Sequence, residues 1–249
     1  MRDRRPGARL RSLMRGDCVA LGMIVRMTRA RGIARIAKMS GHDFLFIDTQ
    51  HAPFSRESIA DLIVAAEGVD IPALVRVRGS DDPDITLHLD VGAAGVILPN
   101  INSGEEAAHA VSLCRLPPDG RRSSAKPTAP GGDDDPLVVC MIETTTGVAN
   151  ADAIAAVPGV DLLHIGCVDL RVAMGVDPDV RPFEFAQAIL QTAHAATSRG
   201  KLWGLGGERD QAQRAKCIAN GARFMTTNTD EALLLSAATA AVASDRARY

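Results

Sequence analysis

Eight short apolar runs, rich in Val, Ile and Leu, recur about every 25 to 30 residues, and segments with helical periodicity separate them. Runs that are apolar throughout are typical of parallel strands that helices bury on both faces. Eight such runs in 249 residues predict an α/β fold, a single (β/α)8 barrel formed by residues 1–249. The predicted strands are residues 19–25, 44–48, 72–77, 95–98, 137–142, 162–165, 202–205 and 223–226.

Helix start signals lie between these runs. Ser55 precedes one helical segment, and Ser103 with Glu106 three residues later forms a capping box before another. We expect Asp230 to cap the final helix, and residues 9–15 to form a short amphipathic helix before the first strand. Residues 115–136, rich in Pro, Gly, Ser and Asp, predict one long loop between strands four and five, at the end where barrel enzymes keep their active sites.

Charge and composition exclude several partners. A net charge of -2 gives no reason to expect nucleic acid, and no stretch approaches the roughly 20 apolar residues of a membrane-spanning helix. The Arg-rich first sixteen residues lack the apolar centre of a secretory signal. Five cysteines, scattered and without CxxC spacing, indicate neither disulfides nor a zinc site, so we expect a cytoplasmic protein.

Four titratable or charged residues stand at or just after the ends of predicted strands: His51, Arg76, Glu143 and Asp169. In a barrel such positions converge on one mouth, although each residue alone could cap a helix or form an ion pair. Glu143 and Asp169 follow adjacent strands, which lie about 4.8 Å apart. Two carboxylates without a His or Cys companion suit a hard cation such as Mg²⁺ or Mn²⁺ with open coordination positions.

Four segments, in order along the chain, resemble those of the HpcH/HpaI family of class II, metal-dependent pyruvate aldolases. They are FLFIDTQHAP, LHLDVGAAGVILPNINSGEEA, MIETTTGVAN and VDLLHIGCVDL. The resemblance extends from about residue 9 to residue 235. It implies a TIM barrel of the phosphoenolpyruvate/pyruvate type and the reversible cleavage of 4-hydroxy-2-oxo acids to pyruvate and an aldehyde.

The resemblance also implies roles for individual residues. Glu143 and Asp169 match the ligands of a divalent metal (Mg²⁺, Mn²⁺ or Co²⁺), Arg76 matches the arginine at the pyruvate keto oxygen, and His51 matches the catalytic base. Backbone amides around Gly166, Val168 and Asp169 match those that bind the pyruvate carboxylate, as a helix N-terminus can.

Asp90 matches an aspartate that reaches the active site of a neighbouring subunit and hydrogen-bonds its histidine. The resemblance therefore implies a homo-oligomer, a hexamer or a trimer with shared active sites. Asp90 would otherwise be an ordinary solvated residue at a helix end.

Several positions depart from the family pattern. Gln50 stands where a glutamate is usual beside the histidine, and Met141 where a glutamine usually precedes the metal-binding glutamate. Residues 120–136 form a shorter segment than the family has between the helix after strand four and strand five. Arg122 matches the family arginine of that segment only loosely. The acceptor aldehyde is therefore left open.

Two other functions stay open at this point. One is an enzyme that forms the same enolate by decarboxylating oxaloacetate, and the other is a protein that binds a 2-oxo acid without catalysis, which Gln50 and Met141 would permit. A Schiff-base aldolase is disfavoured, because the four lysines fall in predicted helices, a loop or the entry end of strand seven. His42, His88, His109, His164 and His194 have no ligand partners at suggestive spacing.

Overall fold

The computed structural model describes residues 6–123, 135–175 and 182–248. Within these segments eight parallel strands pair in sequence order, and the last pairs with the first to close a barrel. The predicted barrel is confirmed, and the largest error in a strand boundary is at the end of β8, predicted at residue 226 and observed at Thr229. The strands are β1 (Ala20–Val25), β2 (Phe44–Asp48), β3 (Ala73–Arg76), β4 (Gly95–Leu98), β5 (Leu137–Ile142), β6 (Leu162–Gly166), β7 (Leu202–Gly206) and β8 (Phe224–Thr229).

Helices separate the strands, as the periodicity predicts, and surround the barrel. A helix also precedes β1, where residues 9–15 predict one, although it begins earlier than expected. The helices in the described segments are α1 (Pro6–Arg15), α2 (Gly32–Met39), α3 (Arg56–Gly68), α4 (Ile85–Val91), α5 (Gly104–Cys114), α6 (Thr145–Ala149), α7 (Ala151–Ala155), α8 (Cys167–Met174), α9 (Pro182–Ser198), α10 (Gln211–Ala219) and α11 (Asp230–Arg246). None of them is long and apolar enough to span a bilayer.

The two serine caps are confirmed. Ser55 Oγ accepts a hydrogen bond from the Ser58 amide, and Ser103 Oγ accepts one from the Glu106 amide. The Glu106 carboxylate completes the box one residue earlier than expected, since it accepts from the Asn102 amide.

The prediction that Asp230 caps the final helix is wrong. Thr229 is the N-cap residue, and its hydroxyl accepts from the Ala232 amide. The Asp230 carboxylate instead accepts from the amides of Arg26 and Thr28 at distances of 2.9 and 2.7 Å. It therefore fixes the loop that follows β1, a long-range role that local capping patterns cannot reveal.

Two apolar layers hold the barrel together. Side chains inside it form one cluster, in which the Phe44 and Phe224 rings stack with centroids 4.4 Å apart. Leu10 and Met14 of α1 belong to the same cluster and close the amino-terminal end of the barrel. A second cluster packs the outer faces of the strands against the helices. Apolar side chains thus fill the amino-terminal end of the barrel and the space between strands and helices. Polar residues are found at the carboxyl ends of the strands.

The predicted long loop is only partly within the described segments. Residues 115–123 and 135–136 form neither helix nor strand, as expected, and residues 124–134 lie outside the described residues. Arg122, almost fully buried, donates to Asp90 Oδ1 at 2.6 Å, and Asp135 pairs with Arg11 and Arg115. These ion pairs attach both described ends of the loop to the barrel.

Candidate active site

The carboxyl ends of the strands enclose a cavity of about 160 Å³. Its wall includes the predicted metal-binding and substrate-binding residues, from β3, the end of β5, β6 and α8. These residues are Arg76, Glu143, Gly166, Val168 and Asp169. The structure therefore brings together side chains that are widely separated in the sequence.

A buried carboxylate holds Arg76 in position. Asp48 and Arg76 are in register on β2 and β3, and the guanidinium donates through Nε to Asp48 Oδ1 (2.8 Å) and through Nη2 to Oδ2 (2.6 Å). Such a two-point contact fixes the plane of the guanidinium as well as its position. Asp48 Oδ2 also accepts from Arg26 Nε at 2.5 Å.

These contacts determine the ionisation of Asp48. Burial alone would raise the pKa of its carboxyl, but the hydrogen bonds and charges of Arg76 and Arg26 outweigh burial and hold the pKa below its ordinary value. Arg76 Nη1 has weaker contacts, 3.9 Å from Met141 Sδ and 3.9 Å from Glu143 Oε1. Nη1 is therefore the nitrogen of Arg76 best able to donate to a ligand oxygen.

Glu143 lies at the end of β5 with its side chain buried. Its Oε2 accepts from the amide of Asn100 at 2.9 Å, and Asn100 has the left-handed backbone (φ 53°) that asparagine tolerates better than most residues. A Cβ on Gly166 would stand 2.5 Å from Glu143 Oε1, so only glycine fits beside this carboxylate. Burial raises the pKa of Glu143 to about 6, and the neighbouring Asp169 contributes to this rise.

Asp169 belongs to the first turn of α8, which begins directly after β6. Gly166 is the N-cap residue and offers no side-chain cap, so the first amides of α8 have no partner from a capping side chain. Amides at a helix N-terminus attract anions. The same short segment thus combines a carboxylate with backbone amides of the kind that attract anions.

The residues present fit a divalent cation. Glu143 and Asp169 offer oxygen donors, and a cation between them would offset the cost of burying the Glu143 charge. Among the residues that the structure describes, no group of three or more His, Cys, Asp or Glu side chains is arranged around one point. Two protein ligands would leave coordination positions for water and substrate.

His51 lies outside this cavity. It is exposed and lines an adjacent cavity of about 610 Å³ at the same end of the barrel, together with Arg56, Arg78 and His88. Partial removal from water and then the charge of Arg76 lower the pKa of His51. A lowered pKa favours the neutral imidazole, which is the form that accepts a proton.

Asp90 lies on α4 and pairs with Arg122 of the same chain, as described above. The loosely matched Arg122 is therefore linked to the residue for which the resemblance implies a role between subunits. This ion pair was not predicted from the sequence.

Three further residues of this region were assigned no role from the sequence. Asp48, the most buried, ends the apolar run FLFID, where a charge is a readable signal. Arg26 directly follows β1 and lines the cavity, and His164 interrupts the apolar run LLHIG with its side chain toward the cavity. A charged or titratable residue at the end of a buried strand could have identified Asp48 and Arg26. His164 has no metal-ligand partner at a suggestive spacing, but a histidine inside a buried apolar run is itself a signal.

His164 is 1% exposed and packs edge-on against Phe224, with ring centroids 5.3 Å apart. Its Nδ1 is buried and has no hydrogen-bond partner among the described residues. Burial, and then the charge of Arg76, lower the pKa of His164 to about 3. The imidazole is therefore neutral in the folded protein above about pH 3.

We expect His164 to make the protein sensitive to acid. The ordinary pKa of histidine is 6.5. Between pH 6.5 and pH 3 the unfolded chain binds a proton at this residue and the folded protein does not. The free energy of unfolding therefore falls as the pH falls. At pH 5 this amounts to about 2 kcal/mol. The free energy of unfolding of His164→Phe, measured in urea, should drop less than that of the wild type between pH 8 and pH 5, by this amount. An equal drop in both proteins would contradict the assignment, and the comparison at pH 8 isolates the packing effect.

The lysines of the described segments do not line the cavity. Lys38 Nζ donates to the carbonyl of Asp70 on the outside of the barrel, and Lys201 Nζ to that of Val160 at the entry end of β7. Lys216 lies on α10, and Lys126 is outside the described residues.

Fold and site together define an enzyme of the (β/α)8-barrel class, with carboxylates and a clamped arginine where the strands end. The chain belongs to the HpcH/HpaI aldolase/citrate lyase family, whose model matches residues 23–237.

Relatives agree with this assignment. The chain is 33% identical over 234 residues to a 4-hydroxy-4-methyl-2-oxoglutarate aldolase of Hapsidospora irregularis (87% of this chain, 86% of the relative). It is 34% identical over 213 residues to a 4-hydroxy-2-oxovalerate aldolase of Rhodococcus jostii (81% and 82%). A crystal structure of an HpcH/HpaI aldolase/citrate lyase family protein from Burkholderia cenocepacia superimposes with a TM-score of 0.86 at 29% identity, covering 96% of this chain and 99% of the other. The chain is therefore an aldolase, a carbon-carbon lyase.

Proposed function

We propose that the protein cleaves 4-hydroxy-2-oxo acids reversibly to pyruvate and an aldehyde, with a divalent cation as cofactor. The observation that carries the proposal is the two-point contact of Arg76 with Asp48. This contact occupies Nε and Nη2 and leaves Nη1 for a ligand in the cavity that Glu143 and Asp169 also line. The names of the relatives, which are aldolases of 2-oxo acids, agree with this substrate class.

Glu143 and Asp169 are the residues that would hold the cation, proposed to be Mg²⁺, Mn²⁺ or Co²⁺. When bound, it would supply electrostatic stabilisation of negative charge on a substrate oxygen. The amides around Gly166, Val168 and Asp169 would bind the carboxylate of pyruvate at the N-terminus of α8.

Arg76 would bind the keto oxygen of the substrate through Nη1. Because Asp48 already holds Nε and Nη2, the donor would be in place before charge develops on that oxygen. Donors that need no reorganisation during the reaction stabilise a transition state best. Arg76 would thus favour the enolate over the ketone.

His51 would act as the base, through a water because it lies in the adjacent cavity. It would accept the proton of the C4 hydroxyl, and the C4 oxygen would become the carbonyl of the released aldehyde as the C3–C4 bond breaks. The bonding pair would stay on pyruvate as an enolate, and protonation at C3 would complete the cleavage. Synthesis would follow the reverse order.

A panel of substrates tests this proposal. The purified protein, with Mg²⁺ or Mn²⁺, is incubated with pyruvate and a series of aldehydes, and with 4-hydroxy-2-oxo acids in the reverse direction. We expect product formation that excess EDTA removes. Oxaloacetate belongs in the panel, because release of CO₂ without any aldol activity would support the decarboxylase instead. No turnover of any compound, despite tight binding of pyruvate, would support a non-catalytic protein.

We also propose that the active site is shared between subunits of a trimer or hexamer, with Asp90 orienting His51 of a neighbour. Such a carboxylate would fix the tautomer of the imidazole and raise its basicity. The pair with Arg122 supports this role, because it orients the Asp90 side chain at the end of α4.

Complementation between inactive variants tests the shared site. Asp90→Asn and His51→Ala should each lose most activity as separate proteins, and a mixture dissociated and reassembled should recover part of it, because some sites then contain both native residues. A fully active monomer, or an Asp90→Asn variant with wild-type activity, would contradict the proposal.

A cytoplasmic location is proposed from the thiols. All five cysteines are free and four of them are buried. Thiols persist in a reducing compartment.

A further inference from the structure

Arg26 is a charged residue of the cavity for which the mechanism above has no use. It directly follows β1 and lines the cavity with 36% of its side chain exposed. Its backbone amide donates to Asp230 Oδ1 at 2.9 Å, which fixes the main chain at this residue. Its side-chain Nε donates to the buried Asp48. An arginine that is held at its backbone amide and at Nε presents its terminal nitrogens in a defined direction.

Two guanidinium groups share the carboxylate of Asp48. One carboxylate faces two guanidinium groups, those of Arg26 and Arg76, both of which line the cavity. The cavity wall beside Arg26 consists of polar β8 residues, Thr227 to Thr229, and holds no acidic side chain among the described lining residues of β1 and β8. Arg76 has Glu143 as a second carboxylate neighbour, at 3.9 Å, whereas Asp48 is the one carboxylate within ion-pair distance of Arg26 among the described residues. An anionic group of a ligand would therefore find a partner in the terminal nitrogens of Arg26.

The position of Arg26 determines which part of a ligand it can contact. β1 lies opposite β5 in the closed ring of eight strands, so Arg26 and Glu143 enter the cavity from opposite sides of the ring. If pyruvate occupies the side near Glu143 and α8, as proposed, the acceptor half of the substrate extends toward β1. An arginine matches a carboxylate by paired donation, and a partly buried pair gains more than one in open solvent.

We infer that Arg26 is a specificity-determining residue that binds a second carboxylate, carried by the acceptor half of the substrate. The preferred substrates are then 4-hydroxy-2-oxo dicarboxylates, and the acceptor is an aldehyde or ketone that bears a carboxylate. This inference rests on the proposed function for the orientation of the substrate. It does not depend on turnover, because the binding of a non-cleavable analogue reports the same contact.

A matched pair of analogues tests the inference. 2-Oxoglutarate and 2-oxopentanoate have the same chain length and differ in a terminal carboxylate against a methyl group, and neither has the C4 hydroxyl that cleavage needs. Calorimetry with Mg²⁺ present should give a Kd for 2-oxoglutarate about tenfold to a hundredfold lower than for 2-oxopentanoate. The ratio should approach one in Arg26→Gln, which retains a donor for Asp48, and should partly survive in Arg26→Lys. It should also decrease at high salt.

Arg209 provides the matched comparison, because it is an exposed arginine at the edge of the same cavity. Arg209→Gln loses the same charge and should retain the preference for 2-oxoglutarate. The inference is overturned if the wild type binds both analogues equally, or if Arg209→Gln removes the preference and Arg26→Gln keeps it.

Cleavage assays separate this inference from the proposed function. 4-Hydroxy-2-oxoglutarate and 4-hydroxy-2-oxopentanoate would yield pyruvate with glyoxylate and with acetaldehyde, respectively. Equal kcat/KM values for the two would leave an aldolase without the Arg26 preference. Failure to cleave either, with the Kd ratio intact, would leave the Arg26 site and reject these compounds as aldol substrates.

Discussion

Glu143→Ala and Asp169→Ala should each reduce aldol cleavage by at least about a thousandfold, because a bound cation contributes several kcal/mol to the stabilisation of developing charge. Removal of either carboxylate also leaves the cation with one protein ligand instead of two. Steady-state kinetics at saturating Mg²⁺ and Mn²⁺ provides the measurement, and equilibrium dialysis against Mn²⁺ should show a parallel loss of metal binding.

Glu67→Ala is a suitable control, because Glu67 is an exposed glutamate on α3 and its removal changes the net charge equally. It should change kcat by less than about threefold. Wild-type rates in Glu143→Ala, or undiminished Mn²⁺ binding in both carboxylate variants, would show that the cation is held elsewhere or is not needed.

Arg76→Lys should lower kcat by about two to three orders of magnitude, the effect of removing one preorganised donor from an oxyanion site. Lysine retains the charge but cannot donate to both oxygens of Asp48 and to a substrate oxygen in one plane, as the guanidinium can. The loss should appear in kcat more than in KM, because the contact strengthens as the enolate forms.

The exposed Arg35 on α2 provides the control Arg35→Lys, for which no change is expected. A change confined to KM in Arg76→Lys would mean that Arg76 binds the substrate and does not stabilise the enolate.

The sequence predicted the barrel well because a strand buried on both faces needs an unbroken apolar run, and this property is local. Leu137–Ile142 and Phe44–Asp48 are recognisable without knowledge of their neighbours. The strand ends then predicted that Arg76 and Glu143 share one mouth, since parallel strands in a closed barrel all end on the same side.

Contacts between distant residues could not be predicted in this way. Asp230 has the local pattern of a cap, and only the closed barrel brings it to the amides after β1. The two guanidiniums on Asp48 depend on the register of β1, β2 and β3. The placement of His51 in an adjacent cavity depends on how the chain turns after β2.

Exchange of the methyl protons of pyruvate in D₂O, followed by ¹H NMR, tests the central claim most directly, because enolate formation needs no knowledge of the acceptor. We expect exchange in the presence of the protein and Mg²⁺ or Mn²⁺, little exchange in excess EDTA, and slow exchange in Arg76→Lys. Full exchange in excess EDTA, or pyruvate that borohydride traps on a lysine, would contradict a metal-dependent enolate.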